Sequence, residues 1–294
     1  MKARRQLIGL VLLMLTSGCE QHQPSAAGQS KLVVFVSVLP QAFLVERIGG
    51  QQVRVEVLVR PGQSPATYEP SPRQMAELGQ ASLYVRVGAP FERGVLDEIR
   101  KTYPGLELLD AREGLVLIDK SGRPIAPGAP PDSADHHVWL DPGRLAIQAE
   151  HIARALERLD PSHAEIYRSR LGSLRAEMQA LDARISERLA PLKGRSFLVY
   201  HPAYGYFAEA YGLRQSAVEL DGKQPQARHL AALIDRAKAS RARVIFVQPQ
   251  FSSKSAALAA EAIGAAVRPL DPLAGDVLAN LEHMAESIAA ALEE

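Results

Sequence analysis

The chain has 294 residues, 47% of them hydrophobic and 23% charged, enough to bury a substantial core and long enough for two domains. Thirty-four Lys and Arg stand against 33 Asp and Glu for a formal net charge of +1. The basic residues are scattered with few aromatics beside them, which argues against nucleic acid as a partner.

The chain opens on "MKARRQLIGLVLLMLTSGC", where Lys2, Arg4 and Arg5 precede an apolar run from Leu7 to Leu15. This reads as an export signal over residues 1–19, too short to be a spanning helix. Thr16, Ser17, Gly18 and Cys19 resemble the lipobox of bacterial lipoproteins, with Thr16 where Leu is usual. The resemblance implies that Cys19, the only cysteine, carries the lipid and begins the mature chain. Residues 20–30, "EQHQPSAAGQS", are polar and read as a flexible tether, His22 included. No other run is long enough to cross a membrane, so the body is expected in the periplasm or at the cell surface, held by its anchor.

Beyond the tether, strand-like and helix-like segments alternate, the pattern of a parallel sheet covered by helices. "KLVVFVSV", "QVRVEVLV" and "SLYVRVG" read as strands, with "PQAFLVERIGG", "PRQMAELGQ" and "FERGVLDEIRKTY" as helices. These place an N-terminal α/β lobe over residues 31–159. The pattern restarts at Ser196 with "SFLVY", "RQSAVEL", "RVIFVQ" and "AVRPL", giving a C-terminal α/β lobe over residues 191–294. Between them, residues 160–190 read as one long helix starting at Pro161, with Asp160 as its N-cap and Pro191 near its stop. Ile166, Leu171, Leu174, Met178, Leu181 and Ile185 recur mostly at spacings of three and four, a stripe able to pack across both lobes. About 30 residues at 1.5 Å each make a rod of roughly 45 Å. The fold class is α/β: two parallel-sheet lobes joined by one long rigid helix, with a cleft between the lobes.

Ligands of open α/β sheets collect beyond the carboxyl ends of the strands. There the chain offers His201 after "SFLVY", Asp271 after "AVRPL", and the pair His136 and His137 at the end of a proline-rich loop. Imidazoles with a carboxylate suit zinc, or manganese where oxygen ligands dominate. The competing reading makes His201 a helix cap and the histidine pair part of a solvent-exposed loop. His151, His163, His229 and His283 fall in helical segments and read as structural.

"PGQSPATYEPSPRQM" (61–75), "HVWLDP" (137–142), "YHPAYGYFAEAYGL" (200–213) and "QPQFSSKSA" with "LDPL" (248–273) together resemble the solute-binding components of bacterial zinc and manganese ABC importers. That resemblance implies two lobes with a metal between them, no enzymatic activity, a membrane permease and its ATPase as partners, and a monomer. Carried over residue by residue, it makes His137, His201 and Asp271 metal ligands, with His201 leaning towards zinc over manganese. It also shows a gap. Where the family has His in a Ser-Pro-His-x-Tyr-Glu-Pro pattern, this chain has "SPATYEP", and Ala66 carries no donor. Glu69, Gln63, His136 or a water are the available substitutes. The loop at 119–136, with Asp132 and Asp135, is short where many zinc-type members have a His-rich one, and reads as an ordinary mobile loop. Two other readings stand beside this one: the same fold with a changed cargo, and a metal-dependent hydrolase. The second finds no His-Glu-x-x-His, Gly-x-Ser-x-Gly or paired general base in the sequence.

Overall fold

The structure is a computed structural model that describes residues 31–126, 128–130, 133–219, 234–235, 237 and 242–293. The export signal, Cys19, the tether with His22, Asp132 and His229 lie outside the described residues.

Two four-stranded parallel sheets repeat one topology. The first contains β1 (Leu32–Val36), β2 (Val53–Val57), β3 (Leu83–Arg86) and β4 (Glu107–Asp110), in the order β2-β1-β3-β4. The second contains β5 (Ser196–Val199), β6 (Arg214–Ala217), β7 (Val244–Val247) and β8 (Ala266–Pro269), in the order β6-β5-β7-β8. The central strands are nearly unbroken apolar runs because helices cover both faces of a parallel sheet. Val34 pairs with Val55 on one side and Leu83 on the other; Val199 pairs likewise with Ala217 and Phe246. β4, "ELLD", is the strand not named above, since four residues with charged ends carry little strand signal.

The helices begin where local chemistry tells them to. Among the described residues they are α1 (Leu39–Gly49), α2 (Pro72–Leu78), α3 (Pro90–Thr102), α4 (Pro142–Leu159), α5 (Ala164–Leu189), α6 (Gly205–Ala210), α7 (Ser253–Ile263) and α8 (Val277–Glu293). Ser71 and Gln74 form a capping box on α2. Asp141 of the "WLDP" stretch caps α4, accepting from the Gly143 N–H at 2.7 Å, with Pro142 in the first turn. Gly264, at φ 76°, ends α7 in the left-handed conformation that glycine tolerates best.

The long connection is α5, 26 residues, entered through a 3-10 turn at Pro161–His163 and left through another at Ala190–Leu192. Asp160 does not cap it through the backbone. Its carboxylate accepts instead from Ser162 Oγ at 2.6 Å, Tyr167 Oη at 2.6 Å and His163 Nδ1 at 2.7 Å, because the 3-10 turn displaces the helix start. The buried stripe runs Tyr167, Leu174, Met178, Leu181, Ile185, Leu189, with Leu171 half-buried; Ile166 is exposed, since Tyr167 takes the inward place. The N-terminal half of α5 is tied to the first lobe by Arg47–Glu177 (2.6 Å) and by Arg170, which donates to the Gly49 carbonyl (2.7 Å). Its C-terminal half is tied to the second by Arg184–Glu282 (2.8 Å), Arg188–Glu293 (2.6 Å) and the Tyr211 hydroxyl on Asp182 (2.9 Å). One apolar core runs continuously from the first lobe through α4 and α5 to α8, and a smaller one lies under the second sheet.

Candidate metal centre

In both sheets the chain turns opposite ways on leaving the two central strands, and such a switch point opens a crevice at the strand ends. His201 stands two residues past β5, in the loop to α6. Gln248, just past β7, fixes that loop: its Oε1 accepts the His201 N–H at 3.2 Å and its Nε2 donates to the His201 carbonyl at 2.8 Å. Glu219 follows β6 and sets the ring, with Oε2 2.6 Å from His201 Nδ1. Phe251 stacks on the other side, ring centroids 4.9 Å apart at 27°.

The first lobe supplies the histidine pair. The loop that carries it is not a wet one: Asp135, His136 and His137 are only 1%, 8% and 5% exposed. The segment is fastened by an isolated bridge between Ile118 and Pro124 and by the Asp135 N–H on the Ile118 carbonyl at 2.8 Å. From the second lobe, the Tyr206 hydroxyl donates to the Asp135 carbonyl at 2.8 Å. Trp139 Nε1 reaches across to the Pro272 carbonyl at 2.7 Å, and Arg144 to Glu209 at 2.6 Å. Asp135 Oδ1 takes both the His137 N–H (3.0 Å) and His137 Nδ1 (2.6 Å).

Two imidazoles from two lobes are thus built alike. Each gives its Nδ1–H to a buried carboxylate, which fixes the tautomer and leaves Nε2 as the basic nitrogen, the arrangement that metal-ligating histidines adopt. The His137 and His201 ring centroids are 5.6 Å apart and those of His136 and His137 4.2 Å apart. One ligand atom from each of Asp135, His136 and His137 lies within 4.8 Å of the others.

The electrostatics favour a cation. Burial pushes the Asp135 carboxyl up to about 6, against the pull of the neighbouring His136. Burial likewise holds His136 and His137 well below the ordinary imidazole value, so both rings stand neutral at pH 7 and need shed no proton to bind metal. Asp135 Oδ2 is buried without a hydrogen-bond partner, beside the bare Cα of Gly205, where a Cβ would lie 2.8 Å from it. A desolvated carboxylate oxygen with nothing to bond is costly unless positive charge comes near.

Asp271 sits in an adjoining cleft rather than on the wall of the imidazole cavity, and its Oδ1 accepts from Gln250 Nε2 and the Leu273 N–H, both at 2.9 Å. Glu69 is exposed and lines neither. Gln63 accepts the Arg60 N–H at 2.9 Å. Ala66 does face the imidazoles, offering only a methyl group. His151, His163 and His283 line neither cavity. Sequence reasoning missed Glu219 and Gln248. Both follow strands directly, so the strand-end rule that finds His201 would have found them if applied to β6 and β7.

The family described as zinc-uptake complex component A, periplasmic (ZnuA), matches residues 34–291. A putative metal-binding protein of Chlamydia muridarum is 28% identical over 284 residues, 95% of this chain and 98% of that one. The iron-binding protein YfeA of Yersinia pestis is 27% identical over 280 residues, 92% of this chain and 87% of that one. Among solved structures, a crystal structure of ZnuA is 38% identical with a TM-score of 0.82, covering 89% of this chain and 99% of that chain. The family match begins inside β1 and ends in the last turns of α8, taking in both lobes, α5 and the imidazole cluster. This chain therefore belongs to the ZnuA family of periplasmic solute-binding proteins of ABC importers, which are not enzymes.

Proposed function

We propose that this protein captures zinc outside the cytoplasm and delivers it to an importer permease driven by a partner ATPase. The observation that carries the reading is the pair of carboxylate-held imidazoles, His137 with Asp135 and His201 with Glu219, facing one cavity from two lobes. A nitrogen-rich donor set favours zinc over manganese, which prefers oxygen ligands. The ligands we assign are His137 and His201 through Nε2, followed by His136, with Asp135 behind His137 and the position that Ala66 leaves without a donor open to water. Asp271 joins them only by turning out of its adjoining cleft, and Glu69 only by moving its loop. The reading includes lipid attachment at Cys19, a tether over residues 20–30, a monomeric body and small local rearrangement on loading.

The test is a competition titration of the chelator-stripped, anchorless protein with Zn(II) and Mn(II), run beside His137→Ala combined with His201→Ala. Stoichiometric zinc binding that strips the chelator and vanishes in the double variant is the expected result. Equal binding by the variant removes the cluster from the function; preference for manganese changes the cargo.

A further inference from the structure

We propose that Tyr206 of the second lobe is a positioning residue for the zinc site: its hydroxyl is built into the loop that carries His136 and His137, and it sets where His137 stands. This rests on the zinc-capture reading above.

The chain reaches this loop from β4 of the first lobe, yet the loop is fastened to the second. Tyr206 lies fully buried on α6, and its Oη accepts the Ile118 N–H at 3.3 Å while donating to the Asp135 carbonyl at 2.8 Å. Gln215, on β6, donates through Nε2 to the Lys120 carbonyl at 3.4 Å, and Trp139 Nε1 reaches the Pro272 carbonyl at 2.7 Å. The Arg144 guanidinium lies over the Tyr206 ring, 4.6 Å from its centroid, and is itself held by Glu209 at 2.6 Å. That stack keeps the ring from turning its hydroxyl away.

The two ends of the loop meet at Ile118 and Asp135. The Asp135 N–H donates to the Ile118 carbonyl at 2.8 Å, which is half of an antiparallel pair. In a regular pair the two residues exchange both bonds. Here the Ile118 N–H and the Asp135 carbonyl are held apart, and the Tyr206 hydroxyl stands between them, accepting from one and donating to the other. Without the hydroxyl both buried backbone groups lose their partner, and the smallest repair is for them to close on each other. That closure moves Asp135, whose Oδ1 takes both the N–H and Nδ1 of His137. Loss of the hydroxyl therefore falls on the placement of a ligand, since the backbone bond it interrupts can re-form.

The test compares Tyr206→Phe with Tyr211→Phe, which loses a hydroxyl bond of the same lobe, to Asp182, away from the cavity. Zinc competition, thermal melts and the visible spectrum of the cobalt(II)-loaded form, which reads donor geometry, are measured on each. Tyr206→Phe should bind zinc about tenfold more weakly, at the lower end of the about 10–100-fold loss typical of groups behind a metal ligand, and its cobalt bands should shift. Tyr211→Phe should melt earlier while keeping the parent's affinity and bands. Arg144→Lys, which loosens the ring but keeps the hydroxyl, should lower zinc affinity about threefold. It decides the question if Tyr206→Phe does not fold, and parental affinity there would overturn the inference. Zinc affinity within twofold of the parent with unshifted bands in Tyr206→Phe overturns the inference and leaves zinc capture standing, as does an equal loss in Tyr211→Phe. No zinc uptake by the parent protein overturns both.

Discussion

Glu219 never touches the metal in this reading, yet replacing it should weaken zinc binding by a calculable amount. Its carboxylate accepts His201 Nδ1–H at 2.6 Å and is 2% exposed, so water does not take over the bond when it is lost. A hydrogen bond to a charged partner contributes about 1.5–3 kcal/mol, against about 1 kcal/mol for a neutral pair. Glu219→Gln keeps an oxygen acceptor in place and loses only the charge, a cost of about 1 kcal/mol, or roughly fivefold in affinity at 1.4 kcal/mol per tenfold. Glu219→Ala removes orientation as well, and loss of such a partner typically costs about 10–100-fold. The Phe251 stack still restrains the ring plane, which places the expected loss near the lower end of that range. Competition against a chromophoric chelator at pH 7.5, with circular dichroism as a check on folding, measures both variants. Zinc affinities within twofold of the parent for both would refute the reasoning, since His201 would then not bind through the nitrogen that Glu219 sets up.

Gly205→Ala should cost about 1–3 kcal/mol of stability and lower zinc affinity, because the added methyl lies 2.8 Å from Asp135 Oδ2 and displaces the group that holds His137; chemical denaturation and zinc titration report the two effects. Zinc affinity should stay nearly level from about pH 8 to pH 7 and fall below about pH 6, where Asp135 takes up a proton and its charge no longer supports His137. The same groups act on apo stability in opposite senses. His136 and His137, with folded values below their unfolded ones, lose stability for the fold as pH falls through the ordinary imidazole range. Asp135, raised in the folded state, adds stability as pH falls from about 6 towards the ordinary carboxylate value, and melting curves across that window separate the two. Leu181→Ala, in the middle of the α5 stripe at 2% exposure, should cost about 2–5 kcal/mol in denaturant unfolding, while a loss below about 1 kcal/mol would mean that the stripe does not hold the lobes.

Most strands of both sheets are legible because central parallel strands are apolar on both faces, as "LVVFV" and "VIFV" are. His137 and His201 are legible for a different reason, since each stands at a strand or loop end where an open sheet collects its ligands. The carboxylates behind them are less so. Asp135 lies in a segment of Pro, Asp and Ser whose composition signals solvent; only tertiary packing from Tyr206 and Trp139 buries it. Glu219 is 18 residues from His201, and the two meet through the parallel register of β5 on β6. Asp160 shows the limit of local rules: its spacing suits a cap, but an intervening 3-10 turn turns its carboxylate to three side chains. Ile166 and Tyr167 show another, because a spacing of three or four fixes a stripe only to within one residue of phase.

The ties along α5 give its length a meaning that its composition does not have. Residues up to Glu177 are fastened to the first lobe and those from Asp182 onward to the second, so the turn between them acts as a ruler. One residue inserted there would rotate everything beyond it by about 100° and advance it by about 1.5 Å. The lobes could keep their own cores while the His137 and His201 rings, now 5.6 Å apart, moved out of reach of a common ion. Substitutions along this helix are graded in their cost, whereas a change in its residue count is all or nothing for the site.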